Sequence, residues 1–88
     1  GDEKAFTEKD FRFTYKNGYL YAFQMRPDGN DVKIKKLAKR ITRDFLIESV
    51  EVIGMGKAEF ERNDDGLLIR LPEKVTSDLP LCFKIEIG

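Results

Sequence analysis

The sequence predicts an all-β fold, an antiparallel β-sandwich of about six to eight short strands. The chain has 88 residues, which suffices for one domain around one hydrophobic core. Short segments with alternating apolar and polar residues recur along it, and clusters of Gly, Pro, Asn and Asp separate them. Alternation is typical of half-buried strands, and regularly spaced turn clusters are typical of antiparallel sandwiches or small barrels.

The chain divides into a short polar start and one domain. Residues 1–5 are expected to be frayed, and Gly1 before a charged segment is typical of a cleaved expression tag. Residues 6–88 are predicted to form a single domain, since no linker, repeat or low-complexity tract interrupts them.

The first predicted hairpin joins residues 11–16 to residues 19–25 around Asn17-Gly18, a strong hairpin signal. A two-residue turn would put the aromatic residues of the second strand on the face opposite those of the first strand. A three-residue loop with a bulge at Gly18 puts six large aromatic residues on one face: Phe11, Phe13, Tyr15, Tyr19, Tyr21 and Phe23. Because one buried face strongly specifies register, the bulged loop is favoured. The aromatic residues are then expected to be core rather than a platform for sugars or bases.

In the middle of the chain, the apolar pattern is less decisive about secondary structure. Residues 31–37 can form a strand with Val32 and Ile34 facing inward, but their apolar spacing also continues into a helical pattern. The residues alone leave strand and helix open here. Residues 45–53 return to the alternation of a strand.

The last third of the chain predicts a second hairpin and a final strand. A four-residue loop at residues 63–66 pairs Phe60 with Ile69 and keeps the apolar side chains on one face. Residues 81–87 alternate strictly and are predicted to form the last strand.

The composition excludes several classes of function. Sixteen basic and sixteen acidic residues give a net charge of zero, which removes the overall attraction on which non-specific nucleic-acid binding depends. No apolar run is long enough to span a membrane. Histidine is absent and Cys82 is the single cysteine, so Ser-His and Cys-His pairs and histidine metal sites are excluded. We expect no catalytic residue, no metal and no cofactor in this chain.

Two polar clusters are interpreted as ordinary surface. Asn63, Asp64 and Asp65 lack the alternating acidic spacing of a calcium loop and are typical of a turn. Six basic residues form a run that could bind phosphate: Lys33, Lys35, Lys36, Lys39, Arg40 and Arg43. No sequence signature of nucleic-acid binding accompanies this run.

Three apolar residues are predicted to lie on faces opposite the core, namely Leu20, Ala22 and Leu68. Scattered apolar residues are normal on a protein surface, whereas a cluster would mark a docking patch. Both interpretations stay open, and these residues are the candidate patch for docking another domain.

Four segments resemble, in order and spacing, the region after the catalytic barrel of α-L-fucosidases. Residues 10–22 (DFRFTYKNGYLYA) are similar to that family's D-I/F-R-F-T-x-K-x-x-x-L-Y-A pattern. Residues 31–37 resemble its V-x-I-K-x-L strand, and residues 47–54 its I-x-S-V-x-L-L-G segment. Residues 65–72 match its D-G-L-x-I-x-L-P, and a similar F-K-I strand follows near the end. The comparison favours a strand for residues 31–37.

The resemblance implies a C-terminal β-sandwich that packs on an N-terminal catalytic barrel of the same parent chain. In that family the barrel carries the aspartate nucleophile and the acid/base carboxylate for retaining hydrolysis of terminal α-L-fucose, and no residue here corresponds to them. The expected function is that of a non-catalytic accessory domain, and the expected location is periplasmic or secreted. The alternative is an independent module with a weak carbohydrate contact, or one that binds proteins through an edge strand.

Overall fold

The computed structural model describes residues 4–8, 11–27, 31–39, 41, 46–74 and 80–88. In these residues the chain forms nine strands and a single-turn 3₁₀ helix at Lys35–Leu37. The strands are β1 (Lys4–Glu8), β2 (Phe11–Lys16), β3 (Tyr19–Gln24), β4 (Val32–Ile34), β5 (Ile47–Val52), β6 (Gly56–Lys57), β7 (Glu59–Asn63), β8 (Gly66–Arg70) and β9 (Leu81–Ile87). Among the described residues, no helix is long and apolar enough to cross a membrane.

The strands form two antiparallel sheets, which confirms the all-β prediction. The large sheet has the order β1-β2-β3-β9-β5-β6, and the small sheet has the order β4-β8-β7. Side chains from both sheets meet in one core, with Phe13, Phe83 and Val52 from the large sheet and Ile34 and Ile69 from the small one. The arrangement is therefore a two-layer sandwich, and each sheet has a second face that points away from the core.

The first hairpin departs from the predicted register. Asn17 and Gly18 have φ angles of 54° and 84°, so they form a two-residue turn with both residues in the left-handed region. Lys16 then pairs with Tyr19, and Phe13 pairs with Ala22 rather than with Tyr21. The prediction of a bulged loop was therefore wrong, and the aromatic residues of β2 and β3 lie on opposite faces of the sheet.

The correction follows from packing across three strands. Ala22 lies between Phe13 on β2 and Phe83 on β9, and all three are at most 1% exposed. A small residue between two large ones lets the rings interdigitate with the small sheet at normal core density. Leu20 contributes to the same face and is 4% exposed. The core face of β3 is therefore formed by the smaller apolar pair, Leu20 and Ala22, rather than by the predicted aromatic residues.

Two other predictions concern the small sheet. The register of the second hairpin is confirmed, since Phe60 pairs with Ile69, and Glu59 pairs with Arg70 with their charged groups 3.9 Å apart. Pairing continues to Asn63 and Gly66, so the turn has two residues rather than the predicted four. In residues 31–37, strand β4 covers only Val32–Ile34, and the 3₁₀ turn follows. A continued strand would turn Lys36 inward and Leu37 outward, whereas the 3₁₀ turn buries Leu37 and leaves Lys36 exposed.

The 3₁₀ turn is attached to the small sheet by polar contacts. The Arg62 Nε donates a hydrogen bond of 2.9 Å to the Leu37 carbonyl oxygen, and the Lys39 amide donates one of 2.9 Å to the Asn63 carbonyl oxygen. Burial lowers the pKa of the Arg62 guanidinium, since removal from water disfavours its charged form. These bonds hold the end of β7 against the segment that follows β4.

Candidate interaction surface

The outer face of the large sheet, which points away from the core, carries the aromatic residues of β3. Tyr19, Tyr21 and Phe23 alternate with the inward-facing Leu20 and Ala22. Pairing with β9 and β5 extends this face across the sheet. The type of side chain changes along the strands, from apolar near Phe23 to polar near Tyr19.

An apolar row crosses one end of this face. It consists of Phe23, Cys82 and Ile53, on the neighbouring strands β3 and β9 and at the end of β5. Phe23 pairs with Cys82, and the Ile53 amide donates a 2.9 Å hydrogen bond to the Cys82 carbonyl oxygen. Phe23 is 38% exposed and Ile53 is 49% exposed, and Cys82 between them is half-buried. With strands about 4.8 Å apart, the row spans roughly 10 Å of solvent-facing apolar surface.

Cys82 lies within this row as an unpaired thiol. Burial raises the pKa of the Cys82 thiol, because the low-dielectric surroundings disfavour the thiolate. The side chain therefore behaves as a small apolar group at neutral pH rather than as a nucleophile.

A polar cleft occupies the other end of the same face. It has a volume of about 230 Å³ and is lined by six residues: Tyr19, Ser49, Glu51, Lys57, Lys84 and Glu86. These residues come from β3, β5, β6 and β9, which extend along the sequence from Tyr19 to Ile87. The register brings them together, since Tyr19 pairs with Glu86 and Lys84 pairs with Glu51.

Three contacts fix the geometry of the polar cleft. The Lys84 Nζ lies 4.3 Å from the centroid of the Tyr19 ring, a cation–π contact. The Ser49 hydroxyl donates a hydrogen bond of 3.1 Å to the Glu86 Oε1. The Tyr19 and Tyr21 rings lie 6.4 Å apart and are tilted by 42°. The cleft therefore places an aromatic ring beside two carboxylates and two ammonium groups.

The outer face of the small sheet forms a separate groove of about 650 Å³. Leu68 lies there in a half-buried position, between Lys33 on β4 and Glu61 on β7. Arg70 and Glu59 line the same groove. Charged side chains thus flank one central leucine, and this face is more polar than the apolar row.

The structure separates the three residues of the predicted docking patch. Leu20 and Ala22 are core residues of the large sheet, so their predicted exposure was wrong; the two-residue turn at Asn17-Gly18 turns them inward. Leu68 lies on the outer side of the small sheet. Phe23 and Ile53 are the residues that do share an exposed apolar surface. The sequence predicts a core position for Phe23 and gives no such assignment for Ile53.

The polar clusters of the sequence show ordinary surface and turn geometry where they are described. Of the basic run, Lys33, Lys35, Lys36 and Lys39 are exposed, while Arg40 and Arg43 lie outside the described residues. The Asn63 Oδ1 accepts hydrogen bonds from the Asp65 amide at 2.8 Å and the Gly66 amide at 3.1 Å. This is the Asx geometry of a turn. Within the described ranges, no group of three His, Cys, Asp or Glu residues could hold a metal ion.

No protein-family model matches the chain, and no curated protein matches it.

Proposed function

We propose that this chain is a non-catalytic accessory β-sandwich that packs, through the apolar row, on the catalytic barrel of an α-L-fucosidase. The proposal rests on the resemblance of four sequence segments to that family. The observation that carries the choice of docking surface is the apolar row of Phe23, Cys82 and Ile53 on the outer face of the large sheet.

The apolar row suits contact between domains of one chain. Interfaces of this kind bury about 600–1,500 Å² and are more polar than permanent subunit interfaces. A row of three apolar side chains bordered by a polar cleft has that mixed character. Because Phe23 and Ile53 are already exposed, another domain can dock on them without a change in the core.

Removing the apolar character of the row tests this proposal. The first step is to obtain the coding sequence of the parent protein and to express that protein with Phe23→Ser and Ile53→Ser. We expect the doubly substituted protein to lose coupled unfolding, so that calorimetry resolves two transitions in place of one. We also expect the half-life of fucosidase activity on heating to shorten, because the barrel loses a stabilising contact.

Leu68→Ser is the matched control, because Leu68 is a large aliphatic residue on the opposite outer face. The parent protein should keep its coupled unfolding in this variant. Both sets of substitutions are first made in the isolated chain, where surface changes should alter stability by only about 0.5 kcal/mol. Equal effects of the two sets in the parent, or a parent without a catalytic domain, would show that the proposal is wrong.

A further inference from the structure

The polar cleft borders the apolar row that the proposed docking uses. Tyr19, at the far end of the cleft, lies four residues from Phe23 along β3, which is about 13 Å at the usual rise of a strand. Glu51 and Lys84, at its near end, lie two positions from Ile53 and Cys82, or about 7 Å. Binding at the cleft is tested on the isolated chain, so the outcome does not depend on the proposed docking.

The charges that line the cleft cancel. Lys57 and Lys84 carry two positive charges, and Glu51 and Glu86 carry two negative charges. Among the described residues, no hydrogen bond or ion pair engages the Glu51 carboxylate or the Lys57 ammonium. A site without net charge attracts neither anions nor cations over a distance, but it offers strong donors and acceptors at close range.

The aromatic ring adds an apolar surface to these polar groups. Tyr19 is half-buried, so part of the ring remains accessible to a ligand. The ammonium of Lys84 lies over the ring and restricts its orientation, and the Ser49–Glu86 hydrogen bond restricts the carboxylate beside it. The cleft is smaller and more polar than most ligand pockets, which measure about 300–1,000 Å³ and are mainly apolar. One ring with convergent, oriented polar groups instead suits a small polar ligand.

We propose that the polar cleft binds one ring of a neutral carbohydrate. A pyranose presents carbon-bound hydrogens that can pack on Tyr19, and hydroxyl groups that each donate and accept hydrogen bonds. The carboxylates of Glu51 and Glu86 accept from these hydroxyls, and the Lys57 ammonium donates to them. The small volume of the cleft fits a single ring better than an extended chain.

The test is a titration of the ¹⁵N-labelled chain, followed by NMR, with methyl pyranosides of glucose, galactose, mannose and fucose. We expect at least one of them to shift the amide signals of Tyr19, Lys84 and Glu86 along a saturable curve. With a Kd of about 1 mM, sugar at tens of millimolar nearly saturates the site. Absence of any saturable shift, or shifts confined to the groove around Leu68, would overturn the proposal.

Substitutions in the cleft identify which groups bind. Tyr19→Ala should weaken binding by about fivefold through loss of the ring contact, and Glu86→Gln by about tenfold through loss of charge-assisted hydrogen bonds. Glu86→Gln keeps the shape of the side chain, so it remains informative if Tyr19→Ala disturbs the fold. Leu68→Ala, on the opposite face, should leave the Kd unchanged. Unaltered affinity in Glu86→Gln would count against the cleft as the binding site.

Discussion

Given the register of the first hairpin, substitutions at two adjacent residues should have very different effects on the free energy of unfolding. In the structure Leu20 is 4% exposed in the core, whereas Tyr21 lies on the outer face beside Lys84. Leu20→Ala should lower the free energy of unfolding by about 2–5 kcal/mol, because it removes buried methyl groups and leaves a cavity. Tyr21→Ala should lower it by only about 0.2–1 kcal/mol, the usual value of a cross-strand contact on an exposed face.

These values are large enough to measure against the stability of a chain of this size. At about 0.05–0.15 kcal/mol per residue, 88 residues give a free energy of unfolding of roughly 4–13 kcal/mol. Urea titration followed by circular dichroism gives this free energy for each variant, and an unchanged m-value confirms that the folded states are comparable. A larger loss for Tyr21→Ala than for Leu20→Ala would refute the register and, with it, the position of the outer face.

Three further predictions concern the turns and the thiol. Gly18→Ala should lower the free energy of unfolding by about 1–2 kcal/mol in thermal or urea unfolding, because a φ of 84° strains a residue with a side chain; no loss would contradict the turn geometry. Asn63→Ala should lower it by about 0.5–1.5 kcal/mol, since the Asx hydrogen bonds are lost, whereas Asn63→Asp, which retains the acceptor, should be close to neutral. Alkylation of Cys82 by iodoacetamide should be slower in the folded chain than in urea at pH 8, because the raised pKa leaves less thiolate, and the difference should shrink at higher pH as the folded thiol ionises. Equal rates at pH 8 would contradict burial of the thiol.

Much of the fold could be predicted from alternation and turn residues. Strands β5 and β9 and the hairpin of β7 and β8 follow from single apolar faces flanked by Gly, Asn, Asp or Pro. The predicted pairing of β7 with β8 is the observed one. In each case only one face of the strand is strongly apolar. The buried face is then unambiguous, and it fixes the register.

Strand β3 shows why the remainder could not be predicted in the same way. Both of its faces are apolar: Tyr19, Tyr21 and Phe23 on one side, and Leu20 and Ala22 on the other. Alternation tells which residues share a face but not which face is buried. The Asn17-Gly18 pair did contain the deciding signal, since both residues favour the positive φ angles of a two-residue hairpin turn.

The candidate interaction surface could not be predicted from the sequence, for a second reason. The apolar row and the polar cleft combine residues from strands that are distant in sequence; for example, Ser49 and Glu86 are 37 positions apart. Charged residues such as Glu51 and Lys84 alternate outward in an ordinary way and give no local indication of a cleft. Only the order β3-β9-β5-β6 brings them together.

Docking of the apolar row on a catalytic domain can be measured at Cys82. The thiol lies between Phe23 and Ile53, so a docked domain would cover it. Alkylation of the Cys82 peptide, followed by mass spectrometry, is compared between the isolated 88-residue chain and the intact parent protein at the same pH. We expect alkylation at least about tenfold slower in the parent, equivalent to roughly 1.4 kcal/mol of protection. Equal rates in the two proteins would show that this face remains open to solvent and that the apolar row is not a docking surface.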